Sequence, residues 1–137
     1  MINKNFPSGR LTQFRGGNIG TFSGPEYTDQ KWRIEANPST PGFFYIQNLR
    51  RRNRLKQWGT DVNDVGAPNG EKSNEALWRL EPMNNNQYEY RVWNYVFNSS
   101  RLTYWHDSGV FGVYSGDINY YAADQVWVLK EELTQND

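Results

Sequence analysis

Three stretches, Asp29-Gln30-Lys31-Trp32-Arg33-Ile34-Glu35, Glu75-Ala76-Leu77-Trp78-Arg79-Leu80-Glu81 and Asp124-Gln125-Val126-Trp127-Val128-Leu129-Lys130, follow one plan. In each, a Trp and the residue two further on are apolar, with Arg33, Arg79 or Val128 between them. That alternation is the period of a strand with one face buried. The tryptophans lie 46 and 49 residues apart. A fixed step of this size marks an internal repeat, and it decides the architecture before any local propensity does.

Other marks keep the same step. Leu11, Leu55 and Leu102 are each followed three residues later by an aromatic: Phe14, Trp58 and Trp105. Ile19-Gly20, Val65-Gly66 and Phe111-Gly112 place glycines 46 residues apart both times. Asn3, Asn48 and Asn94 each close a strand-like run. From glycine to tryptophan is 12 residues in the first two units and 15 in the third, so an insertion falls around Asn119-Tyr120-Tyr121. Each unit thus holds four short runs, separated by turn signals such as Pro41-Gly42, Pro68-Asn69-Gly70 and Asn84-Asn85-Asn86. Three units of four strands make twelve. No terminal caps for a solenoid are visible, and closing the units into a threefold barrel removes the open edges.

Composition agrees. The 137 residues suit one domain. There are six Trp, nine Tyr and seven Phe, so the core is built from aromatics more than from aliphatics. Sixteen Asn, twelve Gly and six Pro supply turns, and many turns in a short chain mean short strands. Fifteen basic residues balance fifteen acidic ones, which argues against a nucleic-acid binder and a polybasic membrane anchor. With no Cys and one His, disulfides, thiol nucleophiles and multi-histidine metal sites are all out, and no cofactor is expected. The first residues lack the apolar run of a signal peptide and no stretch is long enough to span a bilayer, so a cytoplasmic location is the default, with secretion of a processed form left open.

The repeat resembles the β-trefoil lectins of the ricin-B-like family, whose units end in Gln-x-Trp. Gln30-Lys31-Trp32 and Gln125-Val126-Trp127 match; Ala76-Leu77-Trp78 keeps only the Trp. The wording Tyr-x-Ile-x-Asn, Arg-Leu and aromatic-Gly is also similar to the carboxy-terminal trefoil of insect 30-kilodalton lipoproteins. The resemblance implies an all-β fold, a single β-trefoil domain over residues 1–137 with repeats 1–41, 42–87 and 88–133.

It also implies a sugar pocket made of an Asp after the second-strand Leu, an aromatic near the third strand and a polar residue before the Gln-x-Trp. Thr12, Lys56 and Thr103 stand where the Asp would be. The aromatic matches Phe22 and Tyr114, with Pro68 in the second unit; the polar residue matches Asp29 and Asp124, with Glu75 in the second. Unit three is the richest, adding Trp105, His106, Asp107, Asp117 and Asn119, and unit two offers Trp58 and Asp61. An aromatic face packs on the apolar side of a pyranose while carboxylates and amides at its rim fix the hydroxyls. Trp32, Trp78 and Trp127 are expected in the core; Trp58 and Trp105 are balanced between exposed platforms and packed caps.

The expected function is therefore non-catalytic recognition of glycans or glycoconjugates. No phosphate loop, His-Glu-x-x-His or nucleophile elbow suggests an enzyme. Two other readings stay open: a protease inhibitor acting through Val62-Asn63-Asp64-Val65 or the Asp117–Tyr121 insertion, and a storage or structural trefoil without a specific ligand. Arg50, Arg51, Arg52 and Arg54, with Lys56, form a basic cluster that an anionic ligand such as a sulfated glycan would fit; a solvated hairpin tip is the plainer account. The oligomeric state is not legible.

Overall fold

Short alternating runs divided by turns give short strands, and the chain forms twelve of them among its described residues. The computed structural model describes residues 1–4, 10–22, 24, 27–83, 86–105, 110–114, 116 and 123–129. The first unit comprises β1 (Ile2–Asn3), β2 (Arg10–Gln13), β3 (Ile19–Phe22) and β4 (Trp32–Ala36). The second comprises β5 (Phe43–Asn48), β6 (Arg54–Gln57), β7 (Val65–Asn69) and β8 (Leu77–Met83). The third comprises β9 (Asn86–Asn94), β10 (Arg101–Trp105), β11 (Val110–Tyr114) and β12 (Val126–Val128). Each third strand runs on beyond its repeat glycine, which brings Phe22 and Tyr114 into strand ends.

First and fourth strands of the units build a barrel wall in the antiparallel order β4-β5-β8-β9-β12-β1. Second and third strands pair as three hairpins, with Leu11 opposite Thr21, Gln57 opposite Val65 and Leu102 opposite Val113. Six wall strands and three capping hairpins in threefold register are a β-trefoil.

The repeat marks become the joints of this barrel. Leu11, Leu55 and Leu102 are fully buried, and their carbonyls accept from the indoles of Trp32, Trp78 and Trp127 at 3.0, 3.0 and 3.1 Å. A buried indole N–H needs such a partner, since leaving it unpaired costs about 1–3 kcal/mol. Trp78 and Trp127 lie wholly in the core with Ile46, Val65, Val92 and Val113; Trp32 is only half-buried against it. Leu80 and Leu129 follow the expected face, but Ile34 is 36% exposed. It lies on β4, the edge of the described ladder, where one flank lacks a neighbouring strand to cover it.

Adjacent units interlock through the hairpin tips. Gly17, at φ +84°, lies so close to Ala67 and Pro68 that a Cβ there would come within 2.9 Å of the Ala67 carbonyl oxygen. Likewise a Cβ on Gly112 would clash with the Val62 carbonyl oxygen, which accepts from Val113 N–H at 3.0 Å. Glycine at these points is required by close backbone approach. The tip of each of the first two hairpins therefore rests on the third strand of the next unit.

Candidate functional site

Three arginines organise the base of the hairpins. Arg10, Arg54 and Arg101 open their second strands, and each donates to the carbonyl of a glycine beyond the third strand: Gly24, Gly70 and Gly116. In units one and three the guanidinium also meets the Gln of Gln-x-Trp, Arg10 Nε donating to Gln30 Oε1 at 2.7 Å and Arg101 Nε to Gln125 Oε1 at 3.4 Å. Both Gln residues are buried, so the motif's amide serves the scaffold. Unit two has Ala76 instead, and Arg54 Nε is buried with no hydrogen-bond partner among the described residues. Arg54 turns to Glu35 at 3.1 Å, which also pairs with Lys72 at 2.9 Å. Those partners hold the Glu35 carboxyl below the usual glutamate range, the Lys72 hydrogen bond contributing most.

The acidic residue before each Gln-x-Trp position is fixed by its main chain. Asn48 Nδ2 donates to the Asp29 carbonyl at 2.8 Å, Asn94 to Glu75 at 2.9 Å and Asn3 to Asp124 at 2.8 Å. The anchoring Asn comes in each case from the unit next around the barrel. Pinned this way, Asp29 Oδ1 and Asp124 Oδ1 are both buried and have no hydrogen-bond partner among the described residues. Glu75 carries no such orphan. Two equivalent carboxylate oxygens are thus left as acceptors.

Burial pushes the Asp124 carboxyl above the usual aspartate range, with a backbone hydrogen bond working weakly against it. The folded chain then holds that proton to higher pH than the unfolded one. Its contribution to stability is present in acid and lost as pH rises through the folded value. Asp124→Asn is accordingly expected to raise the melting temperature at neutral pH, with the gain shrinking as pH falls towards the ordinary aspartate range. Thermal denaturation of both proteins across pH checks this; a gain that grows in acid contradicts it.

Aromatic rings complete the two bases. Tyr114 pairs with Arg101 across the hairpin and leans over Gly116, where a Cβ would clash with its hydroxyl. The Arg101 guanidinium lies 4.7 Å from the Tyr114 ring centre and 4.9 Å from that of Trp93. Phe22 occupies the matching place opposite Arg10 and leans over Gly24. Tyr27, half exposed, adds a second ring 6.3 Å from Phe22 and tilted by 33°. In unit two the step of 46 falls on Pro68, exposed and without a ring face, and a register shift makes Asn69 the partner of Arg54.

The candidate residues therefore fall into two places. Phe22 and Asp29 belong to the base of hairpin one, Tyr114 and Asp124 to the base of hairpin three. Trp58 and Asp61 lie at a hairpin tip instead. Trp105 pairs with Val110 while Tyr114 pairs with Arg101, four residues along, so about 13 Å of strand separates them. The Trp105 side chain and all of His106, Asp107, Asp117 and Asn119 lie outside the described residues. Thr12 and Thr103 are buried, and their hydroxyls donate to the carbonyls of Arg10 and Arg101. What the sequence reading missed is the arginine set and the glycines 24, 70 and 116; the available signals were the glycines' constant step of 46 and an Arg directly before each repeat Leu.

The basic cluster does not converge. Arg51 Nε donates to the Gln13 carbonyl at 3.1 Å, and Arg54 is engaged as above. Arg50 and Arg52 are exposed, and Arg52 adopts the left-handed φ of 65° that the turn imposes.

No family model matches the chain, and no curated protein does. Solved structures do resemble it. It is 24% identical, over 91% of its length and 90% of the other chain, to a protein described as SeviL bound to asialo-GM1 saccharide, with a TM-score of 0.71. It is 17% identical to ThreeFoil, a designed 3-fold symmetric protein, over 96% of each chain, with a TM-score of 0.78. To the β-trefoil BEL it is 17% identical over 88% of this chain and 89% of that one, with a TM-score of 0.67. Likeness at these identities carries the fold, and the chain is a β-trefoil.

Proposed function

We propose that this chain is a non-catalytic, glycan-binding module of the lectin type, with its sites at the bases of hairpins one and three. The observation that carries this reading is a combination present in two units and absent from the third. An aromatic ring on the strand end stands with an Asp whose buried oxygen lacks a partner among the described residues. A sugar ring is the ligand that satisfies both, laying its C–H face on the aromatic and donating a hydroxyl to the orphan acceptor. The similarity of the fold to a trefoil described with a bound saccharide, and the Gln-x-Trp wording of units one and three, support the same reading.

The test is an array of immobilised mono- and oligosaccharides, followed by titration of the best binder. Tyr114→Ala is expected to weaken binding tenfold or more with the melting temperature nearly unchanged, whereas Pro68→Ala leaves affinity as it was. A blank array combined with inhibition across a protease panel transfers the function to the Val62–Val65 loop. Equal binding by Tyr114→Ala and the parent chain moves the site elsewhere.

A further inference from the structure

We infer a second kind of glycan subsite, separate from the hairpin bases, at the tip of hairpin two, where Trp58 is the stacking platform and Asp61 the acceptor. It rests on the glycan-binding reading above. Trp58 is 50% exposed, and the outer edge of its indole is braced: a Cβ on Gly66 would meet that edge at 3.0 Å. The ring therefore rests against the glycine while half of the side chain stays open to solvent. Phe14 repeats the arrangement over Gly20, 41% exposed, with a smaller ring.

The loop that carries Trp58 is tied at several points. Trp58 N–H donates to the Asp64 carbonyl at 3.0 Å, Asp64 N–H to the Asp61 carbonyl at 3.0 Å, and Asp61 N–H to Asp64 Oδ2 at 3.1 Å. The Val62 carbonyl is held by Val113 N–H of the next unit. An exposed aromatic on a fixed loop loses little conformational entropy when a ligand arrives. The exposed Asp61 carboxylate sits three residues along the same tied turn, so an acceptor stands with the ring on one loop. A ligand with an apolar face and hydroxyls at its rim suits this pair.

Size points the same way. Half an indole presents on the order of 100 Å², which one pyranose ring covers. A stable contact between protein copies needs about 1,000 Å² in total, and the rest of the tip is mostly polar.

The experiment uses Trp58→Leu, which keeps apolar cover on Gly66 but removes the flat face. Affinity is measured on an array of galactose-, glucose-, mannose- and N-acetylglucosamine-containing mono- and oligosaccharides, with melting temperature and oligomeric state recorded alongside. The expected result is a fivefold or greater loss for oligosaccharides, an unchanged melting temperature, and residual binding by a Phe22→Ala/Tyr114→Ala double variant that Trp58→Leu then removes. Loss of the sugar-induced Trp fluorescence change in Trp58→Leu is the second readout. A parent chain that binds oligosaccharides with Trp58→Leu unimpaired overturns this inference alone. A parent chain that binds none of the array overturns it together with the function it rests on. A change in oligomeric state without a change in sugar affinity also overturns it, and assigns the tip to self-association.

Discussion

Trp78→Ala is expected to cost about 3–5 kcal/mol of folding stability. The side chain is fully buried among Leu55, Ile46 and Val92, so its removal leaves a cavity that the barrel cannot close without moving two units at once. The Leu55 carbonyl would also lose the indole donor it holds at 3.0 Å. Trp32→Ala should cost clearly less, because Trp32 is only half-buried although it makes the same bond to Leu11. Urea denaturation of both variants checks the ranking. Equal losses would mean that the threefold register does not translate into depth, and a small loss at Trp78 would place it outside the core.

Asn48→Ala should cost on the order of 3 kcal/mol, taking about 1 kcal/mol for each of three groups left without partners. Those groups are the Asp29 carbonyl and the N–H groups of Arg50 and Arg51, both of which donate to Asn48 Oδ1 at 3.1 Å. Asn94 does the same work for Glu75, Val96 and Phe97, so Asn94→Ala should behave alike. The two variants differ in one respect. Asn48 also fixes the main chain of Asp29, so its loss should loosen glycan binding at the first unit, whereas Asn94 braces a unit that lacks the aromatic and the orphan oxygen. Denaturant unfolding together with sugar titration separates the two effects. A destabilisation below about 1 kcal/mol would contradict the count, since even one orphaned buried group reaches that figure.

How much of this was legible beforehand follows from what repeats. Leu11, Leu55 and Leu102, the Asn series and the Trp series recur at a near-constant step because each fills the same joint of the barrel, and a sequence displays such constraints directly. Phe22, Asp29, Tyr114 and Asp124 were picked out by the resemblance to the ricin-B-like family, at the places of its aromatic and its polar residue. The division between hairpin base and tip was not. Tyr114 and Trp105 are close in the chain, but strand register sets them about 13 Å apart, and register is a property of pairing. Nor could Arg54 be foreseen to reach out of its unit while still holding Gly70. That follows from the loss of one acceptor at Ala76 and the gain of another at Glu35, on the preceding unit. The cross-unit contact of Val62 on Gly112 left only a glycine as its trace, and a glycine names no neighbour.

That contact, with its counterpart at Gly17, bears on how the chain folds. Each of these two tips settles only when the following unit already offers its third strand, so neither of the first two units completes its own hairpin packing in isolation. Folding should then be all-or-none, with populated intermediates suppressed and single excised repeats unstructured. The pairings that close the wall, such as Ile2 with Val128, join residues far apart in the chain. A topology dominated by such distant pairings collapses slowly, on the millisecond-to-second scale. What three similar units gain by leaning on one another is cooperativity, and slow assembly accompanies it.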